Sequence, residues 1–98
     1  MSSPNLSRPL TNFIIAQARR LDLDRVILFG SRARGDHREH SDIDLAVKGA
    51  DVGRFQFYLD EYAPTLLKFD VIDLSHPLAP ELLSSIRKDG IILYDKTR

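Results

Sequence analysis

The sequence predicts an α/β (α+β) domain built on a mixed β-sheet with helices packed mainly on one face. Three observations carry that expectation. Arg25 to Phe29 contains the unbroken apolar run Val26-Ile27-Leu28-Phe29, typical of a strand covered on both faces, and the run stops at Gly30. Asp42 to Val47 alternates with the period of a strand, Asp42, Asp44 and Ala46 directed one way and Ile43, Leu45 and Val47 the other. Around these runs, apolar residues recur at helical spacing in three segments. The predicted order is helix, strand, strand, helix, strand, helix, strand.

Met1 to Pro9 is polar, holds two prolines and is expected to be a frayed lead-in. From Leu10, a stripe of Leu10, Phe13, Ile14, Ala18 and Leu21 marks the first helix. Arg19 and Arg20 fall in its last turn, where solvated positive charge suits the helix dipole. Leu21 to Asp24 connects to the first strand. Beyond the alternating strand, Lys48 to Asp51 turns the chain, and Phe55, Tyr58, Leu59 and Tyr62 mark a second helix ended by Pro64. Tyr58 and Tyr62 read as half-buried rings with polar tips, with a partner interface as the alternative.

Leu66 to Leu74 forms the next strand, with Asp70 on the face of Lys68 and Ile72, and Phe69, Val71 and the structural or exposed Asp73 on the other. Pro80 suits the first turn of a third helix whose buried stripe is Leu82, Leu83 and Ile86. Gly90 reads as its C-terminal cap, Ile91 to Tyr94 as a short last strand, and Asp95 to Arg98 as a loose tail. The whole is one domain spanning 1–98, with frayed ends at about 1–8 and 95–98. Helices gathered on one side leave the other sheet face open, so that the acids stand in a cleft.

Composition narrows the function. A chain of 98 residues supports a single core, so its function must be compact or shared with a partner. Lysine plus arginine equals aspartate plus glutamate at 14 each, which gives a sequence-wide electrostatic case neither for direct nucleic-acid binding nor for an anionic membrane surface. The absence of cysteine excludes disulfides and thiolate metal sites. No apolar run approaches the roughly 20 residues of a membrane span, nor does the N-terminus carry the apolar core of a signal peptide, and a cytoplasmic protein is expected.

Chemistry concentrates between Gly30 and Leu45, in GSRARGDHREHSDIDL. Asp42 and Asp44, two residues apart on a strand, have Cα atoms separated by about 6.5–7 Å on one face, within reach of a common hard cation. Unpaired, such carboxylates raise each other's pKa, so a cation between them is the economical arrangement, and Mg2+ is the natural one where phosphates supply the other ligands. Asp70 joins them if its strand is a neighbour, completing a site for activating an attacking oxygen. The plain alternative is a solvated edge strand.

Gly30 allows close approach of a ligand to the backbone, Ser31 to Arg34 could begin a short helix with free N–H groups, and Arg32 and Arg34 add charge for a triphosphate. The plain alternative there is a strand-ending turn with arginines in water. His37 and His40, at i, i+3 spacing, read as solvent-facing rather than as zinc ligands, and Asp36 and Glu39 as loop charges.

Gly30-Ser31, ten intervening residues and Asp42-Ile43-Asp44 together resemble the signature of the DNA polymerase beta nucleotidyltransferase superfamily. The Arg-x-Arg-Gly after the serine, Ser41 before the first aspartate, Phe69 to Leu74 and Ile86 to Tyr94 resemble its minimal bacterial branch, the minimal nucleotidyltransferase (MNT) antitoxins. The resemblance implies Mg2+-dependent transfer of AMP from ATP to a hydroxyl. Asp42, Asp44 and Asp70 would form the metal-binding and catalytic set, with Asp70 helping to activate the acceptor. Gly30, Ser31, Arg32 and Arg34 would receive the nucleotide. It implies as partner a HEPN-domain RNase toxin, held in a hetero-oligomer, and an antitoxin role. Two other readings accompany it: an antitoxin that neutralises by binding alone, and a transferase acting on a small molecule.

Overall fold

The computed structural model describes residues 6–97. Its elements are α1 (Arg8–Arg20), β1 (Arg25–Phe29), α2 (Ser31–Arg34), β2 (Ile43–Lys48), α3 (Val52–Tyr62), β3 (Phe69–Asp73), α4 (Pro80–Asp89) and β4 (Ile91–Asp95). The sheet order is β3-β2-β1-β4, with β1 antiparallel to β2 and β4, and β2 parallel to β3. The expected mixed sheet and element order are present, with α2 as the short helix after Gly30.

The alternation read from sequence sorts the strands into two faces. Val26, Leu28, Ile43, Leu45, Val47 and Phe69 face α1 and α3, which contribute Leu10, Ile14, Ala18, Phe55 and Leu59 to the main core. The opposite face is not fully open. Phe29 and Ala46, with Ile27 and Ile72, form a second, smaller core under Leu82 and Ile86 of α4. The cause is visible in composition: that face carries large apolar side chains as well as the acids, and the stripe of α4 needs the same burial. Only the part of this face next to Asp44 remains for a cleft.

Several boundaries differ from expectation for local reasons. The first helix begins at Arg8, earlier than the frayed lead-in allows, because the Ser7 hydroxyl caps it by accepting from the Leu10 N–H at 3.3 Å and Pro9 fits its first turn. Residues 1–5 of the expected lead-in lie outside the described residues. The third strand starts at Phe69 rather than Leu66. Its partner β2 begins at Ile43, paired with Phe69, while Leu66 is fully exposed and Thr65 Oγ1 takes the Leu67 N–H at 3.1 Å.

The tail expected to be loose is tied down over Asp95 and Lys96. Asp95 closes β4 and pairs with Arg25 at 3.2 Å, and Lys96 pairs with Asp24 at 3.0 Å while its backbone N–H donates to the Asp24 carbonyl. Tyr62 is largely exposed rather than half-buried, Phe57 is exposed too, and Tyr58 is half-buried as expected, under the Arg20 guanidinium at 4.3 Å. Arg20 is therefore partnered as well as solvated.

Gly90 does follow α4, but its backbone is extended (φ −62°, ψ 134°), so no left-handed cap requires glycine there. The requirement is space, because a Cβ would run into the Ile86 carbonyl oxygen and lie 2.8 Å from Ile27 Cγ2. Gly90→Ala should destabilise the fold by about 1–3 kcal/mol through this overpacking. Gly53, in the first turn of α3 with nothing near its Cβ position, should accept alanine with a gain of about 0.5 kcal/mol. Denaturant melts of the two variants check the contrast; equal effects would show that crowding at Gly90 is not what selects glycine.

Candidate active site

The site is assembled where β1 ends beside β2 and β3. Phe29, the last residue of β1, is registered with Asp44, and Asp44 in turn with Asp70 on the parallel strand β3. Adjacent strands lie about 4.8 Å apart, so the two acids stand side by side on one sheet face. Asp42 precedes β2 and is exposed, as is Asp70, while Asp44 is half-buried. Asp44 feels both neighbours. Burial pushes its carboxyl above the usual aspartate range, Asp70 and then Asp42 push it further, and Arg34 partly offsets them.

The three carboxylates share a field without closing on one point, and among the described residues no three acid, histidine or cysteine side chains already form a metal cage. This donor set, hard oxygen only and incomplete by itself, fits Mg2+ that draws further ligands from phosphate and water. It does not fit a self-sufficient structural metal centre.

Gly30 packs against Asp44. It has φ 75° and ψ −155°, a backbone region nearly exclusive to glycine, and an added Cβ would collide with Asp44 Oδ2. Its carbonyl accepts the N–H groups of Ala33 and Arg34, each at 3.1 Å, and so starts α2 directly at Ser31. Gly35, with φ 88°, ends that helix one turn later. The result is a sharp turn carrying Ser31 and Arg34 at the end of β1.

The two arginines divide. Arg34 is exposed and contacts Asp36 (Nε–Oδ2 3.1 Å) and Asp89 (Nη1–Oδ2 3.3 Å). Arg32 is 6% exposed and does not stand in water ready for a triphosphate. Its Nε donates to the Ser41 carbonyl at 3.0 Å and its Nη2 to the Glu39 carbonyl at 3.2 Å, so its guanidinium holds the loop that leads into Asp42. Ser41 Oγ also accepts the Arg38 N–H at 2.8 Å. The loop between glycine and acids is thus a braced strut. Asp36, read as a loop charge, and Asp89, given no role in the Ile86 to Tyr94 segment, are both drawn to Arg34.

The loop histidines do not join the carboxylates. Asp73 accepts from the Ser75 N–H at 2.9 Å and from its hydroxyl at 2.7 Å, and these bonds hold its carboxyl below the usual range as the pin of a turn. Two open grooves, of about 450 Å³ along α4 and 510 Å³ beside the α3–β3 connector, lie elsewhere and include none of the three acids. The acids instead occupy an open shelf at the sheet end. Among the described residues no helix is long and apolar enough to cross a membrane.

A mixed four-stranded sheet that presents paired acids beside a strand-ending Gly-Ser turn is the framework of a nucleotidyltransferase domain. Residues 12–98 match the polymerase beta nucleotidyltransferase family, and the chain belongs to that family. It is 46% identical over 81 residues to the Methanocaldococcus jannaschii protein named "Putative protein adenylyltransferase MJ0604", covering 74% of this chain and 79% of that one. Its structure is similar to a chain of a toxin-antitoxin crystallised with AMP-PNP, at TM-score 0.68 and 30% identity, over 87% of this chain and 73% of that chain. A mutant of the MntA-HpeT toxin-antitoxin is similar at TM-score 0.67 and 27% identity, over the same shares.

Gly30→Ala should cost about 2 kcal/mol or more, because it adds strain at positive φ to the clash with Asp44. A melt within about 0.5 kcal/mol of wild type would show that the turn relaxes freely. Asp44 also predicts a pH signature. Its carboxyl is raised above the unfolded value near 3.8, so its contribution to stability is present below that pH and is lost as pH rises through the folded value. In metal-free buffer Asp44→Asn should therefore melt above wild type at pH 7, with the gap closing below about pH 4. A wild type that is the more stable at neutral pH would mean that Asp44 already has a cationic partner.

Proposed function

We propose that this chain is a Mg2+-dependent adenylyltransferase that moves AMP from ATP to a hydroxyl of a HEPN-type toxin and thereby acts as its antitoxin. The observation that carries the reading is the register pairing of Asp44 with Asp70, with Asp42 two residues away, beside the Gly30-Ser31 turn. Supporting it, a relative bears the name of a protein adenylyltransferase, and similar chains come from toxin-antitoxin structures, one with an ATP analogue.

In this reading Asp42 and Asp44 hold the metal, with Asp70 at its side. The turn at Gly30-Ser31 receives the triphosphate through backbone N–H groups and the serine hydroxyl, helped by Arg34. Arg32 acts from behind by bracing the loop before Asp42. Asp70 accepts the proton of the acceptor hydroxyl as its oxygen bonds to the α-phosphorus; the bond from that phosphorus to the bridging oxygen breaks and pyrophosphate leaves. When bound, Mg2+ supplies charge neutralisation on the phosphate oxygens. The acceptor comes from a partner, since the shelf is open and the exposed Phe57, Tyr62 and Leu66 leave apolar surface for a protein contact.

The test is transfer of label from α-labelled ATP to a co-purified toxin. Asp42→Asn with Asp44→Asn should lower labelling at least about a hundredfold, and Asp70→Asn by about a hundredfold with nucleotide affinity largely kept. Labelling that survives the double substitution would sink the site assignment. If neither wild type nor double variant labels the toxin yet both neutralise it, the protein works by binding.

A further inference from the structure

Asp89 lies in the Ile86 to Tyr94 segment but was assigned no role from sequence, and the fold brings it to Arg34. It is the last residue of α4, where the helix dipole disfavours an acid and where Arg87 and Lys88 just before it are the expected charges. Its side chain is only 15% exposed, so the charge needs a partner, and that partner is Arg34 on α2, 55 residues away in sequence. A charge that violates its local rule and is compensated across the fold is the kind of residue retained for a site rather than for its helix.

The two ends of this contact are fixed independently. Gly90 seats the end of α4 against Ile27 with no room for a Cβ, and Gly30 seats the start of α2 against Asp44 in the same way. Arg34 therefore bridges two segments that are each closely packed. Its Nε is taken by Asp36 and its Nη1 by Asp89, while Nη2 makes no hydrogen bond among the described residues. A guanidinium held by two carboxylates in this way has one face of its fork already oriented and less rotamer entropy to lose than a free one.

Resting on the nucleotidyl-transfer reading, we propose that Asp89 is a positioning residue: together with Asp36 it holds Arg34 beside Asp44, so that the free Nη2 is preset to meet the β- or γ-phosphate oxygens of an incoming nucleoside triphosphate. The clamp supplies affinity for the polyphosphate and none for the base or ribose. It also keeps a cation within the field of Asp44 before nucleotide arrives.

The test measures Mg2+-ATP and AMP binding to the full chain by titration calorimetry, with melts as a control. Asp89→Asn should weaken ATP by about three- to tenfold and AMP by less than about twofold, with only a small shift in the melt because the Arg34 end of the pair is exposed. Asp89→Glu should recover part of the ATP affinity. Arg34→Gln should weaken ATP similarly, and adding Asp89→Asn to it should cost nothing more, because both act through one guanidinium. Wild-type binding of ATP with an unaffected Asp89→Asn variant overturns the clamp alone, as does an equal loss for ATP and AMP or additive effects in the double variant. A wild type that binds no Mg2+-ATP overturns the nucleotidyl-transfer reading as well.

Discussion

The contact between the Gly30 backbone and the Asp44 carboxylate is the constraint on which the rest of the site depends. It is possible only because residue 30 has no side chain and adopts positive φ. Were the chain to leave β1 by an ordinary turn, α2 would start elsewhere, and Ser31 and Arg34 would leave the acids. The same contact dehydrates Asp44, which already stands beside two other carboxylates. Close packing and charge crowding thus have one source. The fold tolerates both at a single point, where a cation would relieve them.

The two faces of the sheet carry different burdens. Under α1 and α3 lies the larger core, whose buried Phe55, Leu45 and Ile14 stabilise the domain without touching the chemistry. Under α4 lies a smaller core that stops short of Asp44. That helix does two jobs: it covers Ile27, Phe29 and Ala46, and it carries Asp89 to Arg34 at its C-terminal end. A wholly open face would give a wider cleft but would leave Arg34 without its second anchor and Phe29 in water.

Much of this was legible in the residues. The apolar run before Gly30 and the alternation after Ser41 state two strands and their inward faces, because a two-residue period has one solution when one face is buried. The pairing of Asp44 with Asp70 follows once β3 is placed beside β2, although the parallel crossover that places it is a tertiary outcome. Arg32 was less legible than Arg34, since two arginines at i, i+2 on a four-residue helix do not say which side chain turns inward. Asp89 was invisible for a similar reason: its partner is fixed by the docking of α4, which the sequence does not encode locally. Leu66 misled because an apolar residue next to a strand pattern looks like more strand. Whether a backbone is there to pair with is decided by β2.

The pairing of β2 with β3 also has a consequence for variation in chain length. A slip of one residue would set Phe69 or Val71 beside Asp44 and turn Asp70 toward the main core, so the apolar residues flanking Asp70 act as a ratchet that admits only the working alignment. The four residues ahead of the ratchet, 65–68, are not part of the sheet, and they border an open groove. Among them Lys68 still belongs to the register, since its carbonyl accepts the Ile43 N–H at 2.9 Å, so residues inserted ahead of Leu67 cost little closure entropy and leave the aspartates in place. The surface around that groove can therefore be remodelled by insertion while the acid geometry stays constant.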